Sequence, residues 1–168
     1  LKMHWEEAGL IKSFSILDGD DQNRVIKRVI KKMNLDESTW QPRQTQWFIN
    51  KQKDEGRRIA KLPNKATYVE EKMADIYLEY QKTCEEEGVV DFAEILLRCY
   101  EMLNKNPELL SHYQKRFQHI LVDEFQDTNE IQYLLLKQLV GKKGHITVVG
   151  DDDQSIYSWR GAKSSNIN

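Results

Sequence analysis

Residues 119–150 read HILVDEFQDTNEIQYLLLKQLVGKKGHITVVG, and this stretch decides the fold. It begins with a continuous apolar run, His119–Val122, which is typical of a strand buried on both faces of a parallel sheet. Apolar residues then recur at helical spacing, at Ile131, Leu134, Leu135 and Leu139. A second apolar run, residues 146–149, follows Gly141 and Gly144. A strand, a helix and a strand of these lengths predict a βαβ crossover, in which both strands run in the same direction.

Residues 1–117 carry helical patterns throughout. One apolar stripe contains Val25, Ile26, Val29, Ile30 and Met33, and a second contains Val69, Met73, Ile76, Tyr77, Tyr80 and Cys84. Pro42 suits the start of a helix, and Gly56 and Gly88 suit helix ends. The sequence therefore predicts a mainly α-helical domain over residues 1–117, followed by part of a doubly wound α/β domain over residues 118–168.

Two local features of the helical part give more specific expectations. Asp91 with Glu94 predicts a capping box for a helix that buries Phe92, Ile95, Leu96, Cys99 and Leu103. The tryptophans at positions 5, 40 and 47 are expected to pack in the core or at its edge.

Composition excludes some classes of protein. Of the 168 residues, 39% are hydrophobic and 31% charged, which suits a packed core with a polar surface. No apolar stretch approaches the roughly 20 residues that span a bilayer. Cys84 and Cys99 lie in helical patterns without a metal-binding spacing, so we expect free thiols in a reducing cytoplasm.

The charge distribution leaves two interpretations open. The net charge is -2, but residues 20–65 carry twelve Lys or Arg against six Asp or Glu. Such a basic segment can contact the phosphates of duplex DNA. It can equally be an ordinary solvated surface, which the charge alone favours.

Acidic residues follow both predicted strands. Asp123 and Glu124 come directly after the first strand, and Asp151–Gln154 follows the second. Ligands of parallel sheets bind beyond the carboxyl ends of the strands. Asp123 is therefore a candidate ligand of Mg²⁺, and Glu124 a candidate to orient or deprotonate an attacking water. Alternatively, the acids only cap the following helix, a role that Asp127 or Thr128 fits better.

Longer sequence motifs distinguish between these two interpretations of the acidic residues. DEFQDTN at residues 123–129 resembles motif II of the UvrD/PcrA/Rep helicases of superfamily 1, and VGDDDQSIYSWRGA at residues 149–162 resembles motif III. DFAEILL at residues 91–97 resembles a segment that precedes motif II in that family. Residues 16–55, with ILDGDDQ and INKQKDE, resemble the inserted helical domain of the UvrD branch more than those of PcrA or Rep.

The resemblance implies an inserted helical domain followed by part of a P-loop, RecA-like motor domain. It implies that Asp123 binds Mg²⁺, that Glu124 activates water, and that Gln154 senses the γ-phosphate of ATP. In the same family, the residues matching Tyr157 and Trp159 are the motif III aromatics, and the tryptophan stacks on a base of single-stranded DNA. Arg160 matches a motif arginine whose partner, a carboxylate or a phosphate, stays open. Aromatic rings beside an arginine suit sequence-tolerant stacking on unpaired bases.

The resemblance therefore implies an ATP- and Mg²⁺-dependent 3′-to-5′ DNA helicase. Its expected partners are single-stranded DNA, junctions of single- and double-stranded DNA, and DNA-repair proteins. The eight glycines include no GxxxxGK[ST] loop, so we expect this chain by itself not to hydrolyse ATP. Two alternatives stay open: a non-catalytic module that binds duplex DNA through its basic helices, and, with less support, a metal-dependent nuclease that uses its carboxylates.

Overall fold

The computed structural model of the protein describes residues 1–59 and 67–150. The chain divides into two compact units. The first comprises Leu1–Lys53 and Arg57–Ile95, and the second comprises Asp54–Gly56 and the chain from Leu96 onward. Among the described residues, none of the helices combines the length and the apolar character needed to cross a membrane.

Helices with well-defined ends dominate the first unit. They are α1 (Gly19–Lys32), α2 (Pro42–Asp54), α3 (Tyr68–Glu87) and the first turn of α4 (Phe92–Lys105), preceded by a 3₁₀ turn at Lys2–His4. The carboxylate of Asp18 accepts the amide of Asp21 at 2.8 Å and so caps α1. Thr67 and Glu70 form a capping box at the start of α3, and Gly88, with φ of 66°, ends it.

The core of the first unit is built mainly from two predicted stripes. Buried apolar side chains of α1 and α3 pack with others from α2; they include Val25, Ile26, Val29, Ile30, Ile49, Ile76, Tyr77, Tyr80 and Cys84. Of the apolar residues predicted to be buried in the helices that correspond to α1, α3 and α4, two are exposed, and five are only partly buried: Met33, Met73, Ile95, Leu96 and Cys99. Val69 is exposed near the start of α3, and Phe92 is 63% exposed at the start of α4. Both lie in the first turn of their helix. The predicted apolar stripe therefore began one turn before the buried part of the helix begins.

The first unit also contains a sheet that the sequence did not predict. β1 (Ser15–Leu17) pairs in parallel with β2 (Val89–Asp91), so residues 1–117 are not helical throughout. Three residues are too few to establish an alternating pattern, which explains why both strands were missed. Asp91 ends β2 and its carboxylate accepts the amide of Glu94 at 2.7 Å. This hydrogen bond is the Asp91 half of the predicted capping box. The contacts of the Glu94 carboxylate are with Lys53 and Arg58.

The second unit contains the predicted crossover. After the rest of α4 come α5 (Pro107–Arg116), β3 (His119–Val122), α6 (Glu130–Val140) and β4 (His145–Val148). β3 and β4 are parallel and in register, from His119 opposite His145 to Val122 opposite Val148. The helix cap differs from expectation: Asn129, not Asp127 or Thr128, caps α6 through a capping box with Gln132.

The burial of these strands also differs from expectation. The apolar runs predicted strands covered on both faces, yet Leu121 of β3 is 74% exposed and all of β4 is exposed. Within the described residues, β3 and β4 form a sheet of only two strands, so few side chains cover them. The apolar pattern therefore identified the strands correctly but not their environment in this chain.

Candidate functional site

The carboxyl end of β3 carries the two predicted acidic residues. Asp123 and Glu124 follow Val122 directly, and both side chains are exposed. Glu124 has φ of 52° and ψ of 42°, the left-handed region that residues other than glycine rarely occupy. The amide of Glu124 donates to Oδ1 of Asp123 at 2.9 Å. This turn ends β3 and leaves two carboxylates at the edge of the sheet. Strained backbone of this kind is concentrated at functional sites.

A buried glutamine contacts the second carboxylate. Gln126 lies in the 3₁₀ turn Phe125–Asp127 and is 2% exposed. Its Nε2 donates to Oε2 of Glu124 at 2.5 Å. The exposed carboxylate thus has a buried neutral donor on one oxygen.

The end of β4 fixes this turn from the other side. The amide of Val149 donates to the carbonyl of Val122 at 2.8 Å, and the amide of Phe125 donates to the carbonyl of Val149 at 3.1 Å. Gly150 comes next, and a Cβ built there would collide with Oε1 of Gln126 and lie 3.2 Å from the amide nitrogen of Phe125. The acidic turn and the end of β4 therefore form one closely packed corner.

A cleft of about 360 Å³ lies against this corner. It is lined by Val122, Asp123, Glu124, Asp127, Thr128, Gln132, Leu135, Leu136 and Leu139. Its lining combines the carboxylates of Asp123, Glu124 and Asp127 with three leucines of α6. Oδ1 of Asp127 is buried with no hydrogen-bond partner among the described residues. Buried polar atoms are normally paired, so this oxygen is available to a donor or a cation.

These side chains suit part of a magnesium site. No group of three or more His, Cys, Asp or Glu residues that could hold a metal occurs in the described ranges. Mg²⁺ does not require such a group, because it is commonly bound by one or two carboxylates together with water and substrate phosphates. Asp123 offers a carboxylate in the cleft, and Asp127 offers a second oxygen. The donor set therefore fits a magnesium–nucleotide complex.

The predicted site residues are only partly placed by the structure. Asp123 and Glu124 lie together, as the sequence indicated. Gln154, Tyr157, Trp159 and Arg160 lie outside the described residues. Gln126 and Gly150 were not among the predicted site residues. Their signal was present, since Gln126 lies inside the first motif string and Gly150 inside the second.

Comparison with known proteins gives the family. The whole chain, residues 1–168, matches the UvrD/REP helicase N-terminal domain. It is 52% identical over 167 residues to DNA helicase II of Escherichia coli (strain K12) and, with the same values, to that of Haemophilus influenzae. It is 39% identical over 168 residues to the ATP-dependent DNA helicase PcrA of Bacillus subtilis. Each match covers 99% of this chain but only 23% of the relative's length. With a match along its full length, the chain belongs to the UvrD/REP helicase family, as the resemblance of its motifs predicted.

Proposed function

We propose that this chain is part of an ATP-dependent DNA helicase and supplies one wall of its ATP site. The observation that carries the proposal is the acidic turn at the carboxyl end of β3, where Asp123 and Glu124 face a cleft. This is the edge at which open parallel sheets bind their ligands. The relatives named above are DNA helicases, and PcrA is named ATP-dependent.

The chemistry is hydrolysis of the terminal phosphoanhydride of ATP. Glu124 orients a water and accepts its proton as the oxygen bonds to the γ-phosphorus, while the bond to the β-phosphate oxygen breaks and ADP leaves. Asp123 is the residue that would hold Mg²⁺, which supplies charge neutralisation to the phosphates.

The remaining assignments belong to the same proposal and rest on the motif strings. Residues 1–117 are the inserted helical domain, and residues 118–168 are part of the P-loop, RecA-like first motor domain. Gln154 senses the γ-phosphate, and Tyr157, Trp159 and Arg160 contact single-stranded DNA. The complete cytoplasmic protein would move 3′-to-5′ on single-stranded DNA, unwind duplex at junctions and serve DNA repair. By itself this chain would lack ATPase activity.

The test is substitution of Glu124 in the complete protein. Glu124→Gln keeps the size of the side chain but removes its charge and basicity. DNA-stimulated ATP hydrolysis should fall by at least about 100-fold, the lower range for loss of a general base, while ATP still binds. Glu108→Gln changes an exposed glutamate of α5 in the same way and serves as the control. Near-normal turnover by Glu124→Gln would remove Glu124 from the mechanism.

The alternatives gain no support from the structure. Many basic side chains of residues 20–65 already contact acids of the first unit: Arg24 with Asp21, Lys27 with Glu37, Arg28 with Glu87, Lys32 with Glu79, and Lys53 and Arg58 with Glu94. Their charges are thus largely compensated without DNA. A nuclease would need a compact cage of ligands, and the described residues contain no group of three metal-ligating side chains.

A further inference from the structure

The Glu124 carboxylate is not directed by regular secondary structure. Its backbone occupies the left-handed region between β3 and the 3₁₀ turn, and its side chain is exposed. An exposed glutamate on a turn samples several rotamers, whereas a general base must point one oxygen at the reacting water. Something must therefore hold this side chain. The contact that the structure provides is the 2.5 Å hydrogen bond from Nε2 of Gln126 to Oε2 of Glu124.

Gln126 is suited to this role by its burial. With 2% of the residue exposed, its amide cannot rotate freely into solvent. Its donor engages one carboxylate oxygen and leaves Oε1 of Glu124 to accept a proton. Because the amide is neutral, it orients the carboxylate without adding a cation beside it.

The position of the Gln126 amide depends on Gly150. A Cβ at position 150 would overlap Oε1 of Gln126, so the glutamine occupies the space that this glycine leaves open. The neighbouring amide of Phe125 is hydrogen-bonded to the carbonyl of Val149, which prevents the turn from moving aside easily. Gly150 is thus required for close approach, not for an unusual backbone angle, since it is not among the glycines with positive φ.

We propose that Gln126 is a positioning residue for Glu124 and that Gly150 holds Gln126 in place. The inference rests on the proposed function, because it assigns Glu124 to the activation of water. It adds two residues that act through Glu124 and not on the nucleotide itself. Gln126 orients the carboxylate for proton transfer, and Gly150 keeps the amide within reach of it.

The test uses Gln126→Leu and Gly150→Ala in the complete protein. Misplacing a catalytic group by about 1 Å can cost about 100-fold, so kcat for DNA-stimulated ATP hydrolysis should fall on the order of 10- to 100-fold in Gln126→Leu. Gly150→Ala should also lower kcat, because its methyl group would displace the Gln126 amide. KM for ATP and the affinity for a fluorescent ATP analogue should stay within about threefold, because neither residue is assigned to nucleotide binding. Thermal unfolding of each variant separates this effect from loss of fold.

A second measurement distinguishes positioning from general support of the fold. Glu124→Asp keeps a carboxylate but is one methylene shorter, so it should no longer reach the Gln126 amide. In that background, Gln126→Leu should lower kcat by less than about twofold, since coupled residues are not additive. An additive loss, a loss confined to nucleotide affinity, or an unchanged kcat in Gln126→Leu would each overturn the proposal. If Gln126→Leu does not fold, the same readings are taken on Gln126→Met, which is also neutral and cannot donate a hydrogen bond.

The outcome for Glu124 separates the two proposals. If Glu124→Gln abolishes turnover while Gln126→Leu and Gly150→Ala do not lower kcat, the positioning role fails and the proposed function stands. If Glu124→Gln itself turns over normally, the proposed function fails, and the positioning role fails with it.

Discussion

Lys53 places its ammonium 2.6 Å from Oδ2 of Asp91, and the two side chains are only 1% and 2% exposed. The same ammonium lies 2.9 Å from Oε2 of Glu94, and the hydroxyl of Tyr80 donates to Oδ2 of Asp91 at 2.8 Å. Arg58 completes this buried cluster with a two-pronged contact to Glu94. It ties α2 to α3, to the end of β2 and to the start of α4. The first unit therefore contains a charged network in its interior, beside its apolar core.

The charges of the buried cluster depend on each other. Burial by itself would lower the pKa of Lys53, but the carboxylates of Asp91 and Glu94 raise it, and the pKa lies above its ordinary value. Lys53 is therefore charged in the folded protein. Breaking one partner of such a network leaves an uncompensated buried charge, which costs far more than the intact network contributes.

We expect Lys53→Met to destabilise the first unit by about 3–5 kcal/mol, since buried Asp91 loses its cation and Glu94 keeps only Arg58 of its two described cations. The free energy of unfolding, obtained from urea titration, measures the effect. Lys51→Met is the matched control, because Lys51 is exposed and its ammonium lies only over the ring of Trp47. A loss below about 1 kcal/mol, the usual range of surface pairs, would show that the cluster is solvated in solution.

Two tyrosines of α3 provide an internal comparison. The hydroxyl of Tyr77 is buried without a hydrogen-bond partner among the described residues, whereas that of Tyr80 donates to Asp91. Tyr80→Phe should cost about 1.5–3 kcal/mol, because the hydrogen bond is made to a charged group. Tyr77→Phe should change the free energy of unfolding by less than about 1 kcal/mol. Equal losses in urea titrations of the two variants would contradict this assignment.

The stability of the first unit should fall at alkaline pH. Burial raises the pKa of Tyr77 from 10.0 to about 12 and that of Cys84 from 9.0 to about 12, and burial also raises the pKa of Tyr80. Above pH 9 the unfolded chain therefore releases protons that the folded protein retains. The stabilisation is complete below the unfolded pKa values and is lost as the pH approaches 12. Each such proton contributes a slope of at most about 1.4 kcal/mol per pH unit.

Urea titrations between pH 8 and pH 11 measure this slope. Tyr77→Phe removes one titrating group without removing a described hydrogen bond, so its slope should be shallower than that of the unsubstituted protein between pH 10 and 11. A stability independent of pH over this range would show that these groups titrate alike in the folded and unfolded states.

Much of this fold follows from the sequence, and the exceptions have local causes. The stripe through Val25, Ile26, Val29 and Ile30 is buried as predicted, because apolar residues in adjacent pairs four positions apart mark one face of a helix. β1 and β2 were missed because each has only three residues. The buried cluster was missed for another reason. Lys53 lies 38 residues from Asp91, and no local pattern predicts a contact between distant charges.

The candidate site shows the same limit. Asp123 and Glu124 were identified because acids after an apolar strand have a chemical meaning on their own. Gln126 and Gly150 suggest no chemical role by themselves, and their relation to Glu124 is visible only in the structure. The burial of the tryptophans was also only partly predictable. Trp40 is buried as expected, but Trp47 is exposed, with the ammonium of Lys51 over its ring. A single large aromatic residue does not reveal which side of its helix faces the core.

The ion pairs of α1 lead to a prediction about DNA. Arg28 and Lys32 contact Glu87 and Glu79, so their net field toward a phosphate is small. Arg43 and Lys51 of α2 are exposed and have no acidic partner among the described residues. In the complete protein, Arg43→Ala with Lys51→Ala should weaken duplex binding and reduce its salt dependence by up to about two ions. Arg28→Ala with Glu87→Ala removes a whole ion pair and leaves the net charge unchanged, so it should change the affinity by less than about twofold. Equal effects of the two pairs would favour a diffuse basic surface.

The last prediction separates the two carboxylates of the candidate site. Oδ1 of Asp123 accepts the amide of Glu124, and an asparagine at position 123 can still accept it. Asp123→Asn should therefore keep the turn while it removes the charge that would hold Mg²⁺. In the complete protein, the Mg²⁺ concentration for half-maximal ATP hydrolysis should rise at least on the order of tenfold, as for loss of a charged ligand. Glu124→Asp should lower turnover but leave that concentration nearly unchanged, because Glu124 is assigned to water and not to the metal. Magnesium titrations of both variants, with Glu108→Gln as control, measure the difference. If Asp123→Asn left the half-maximal Mg²⁺ concentration unaltered, Asp123 would not be a metal ligand, and the oxygen of Asp127 would become the candidate.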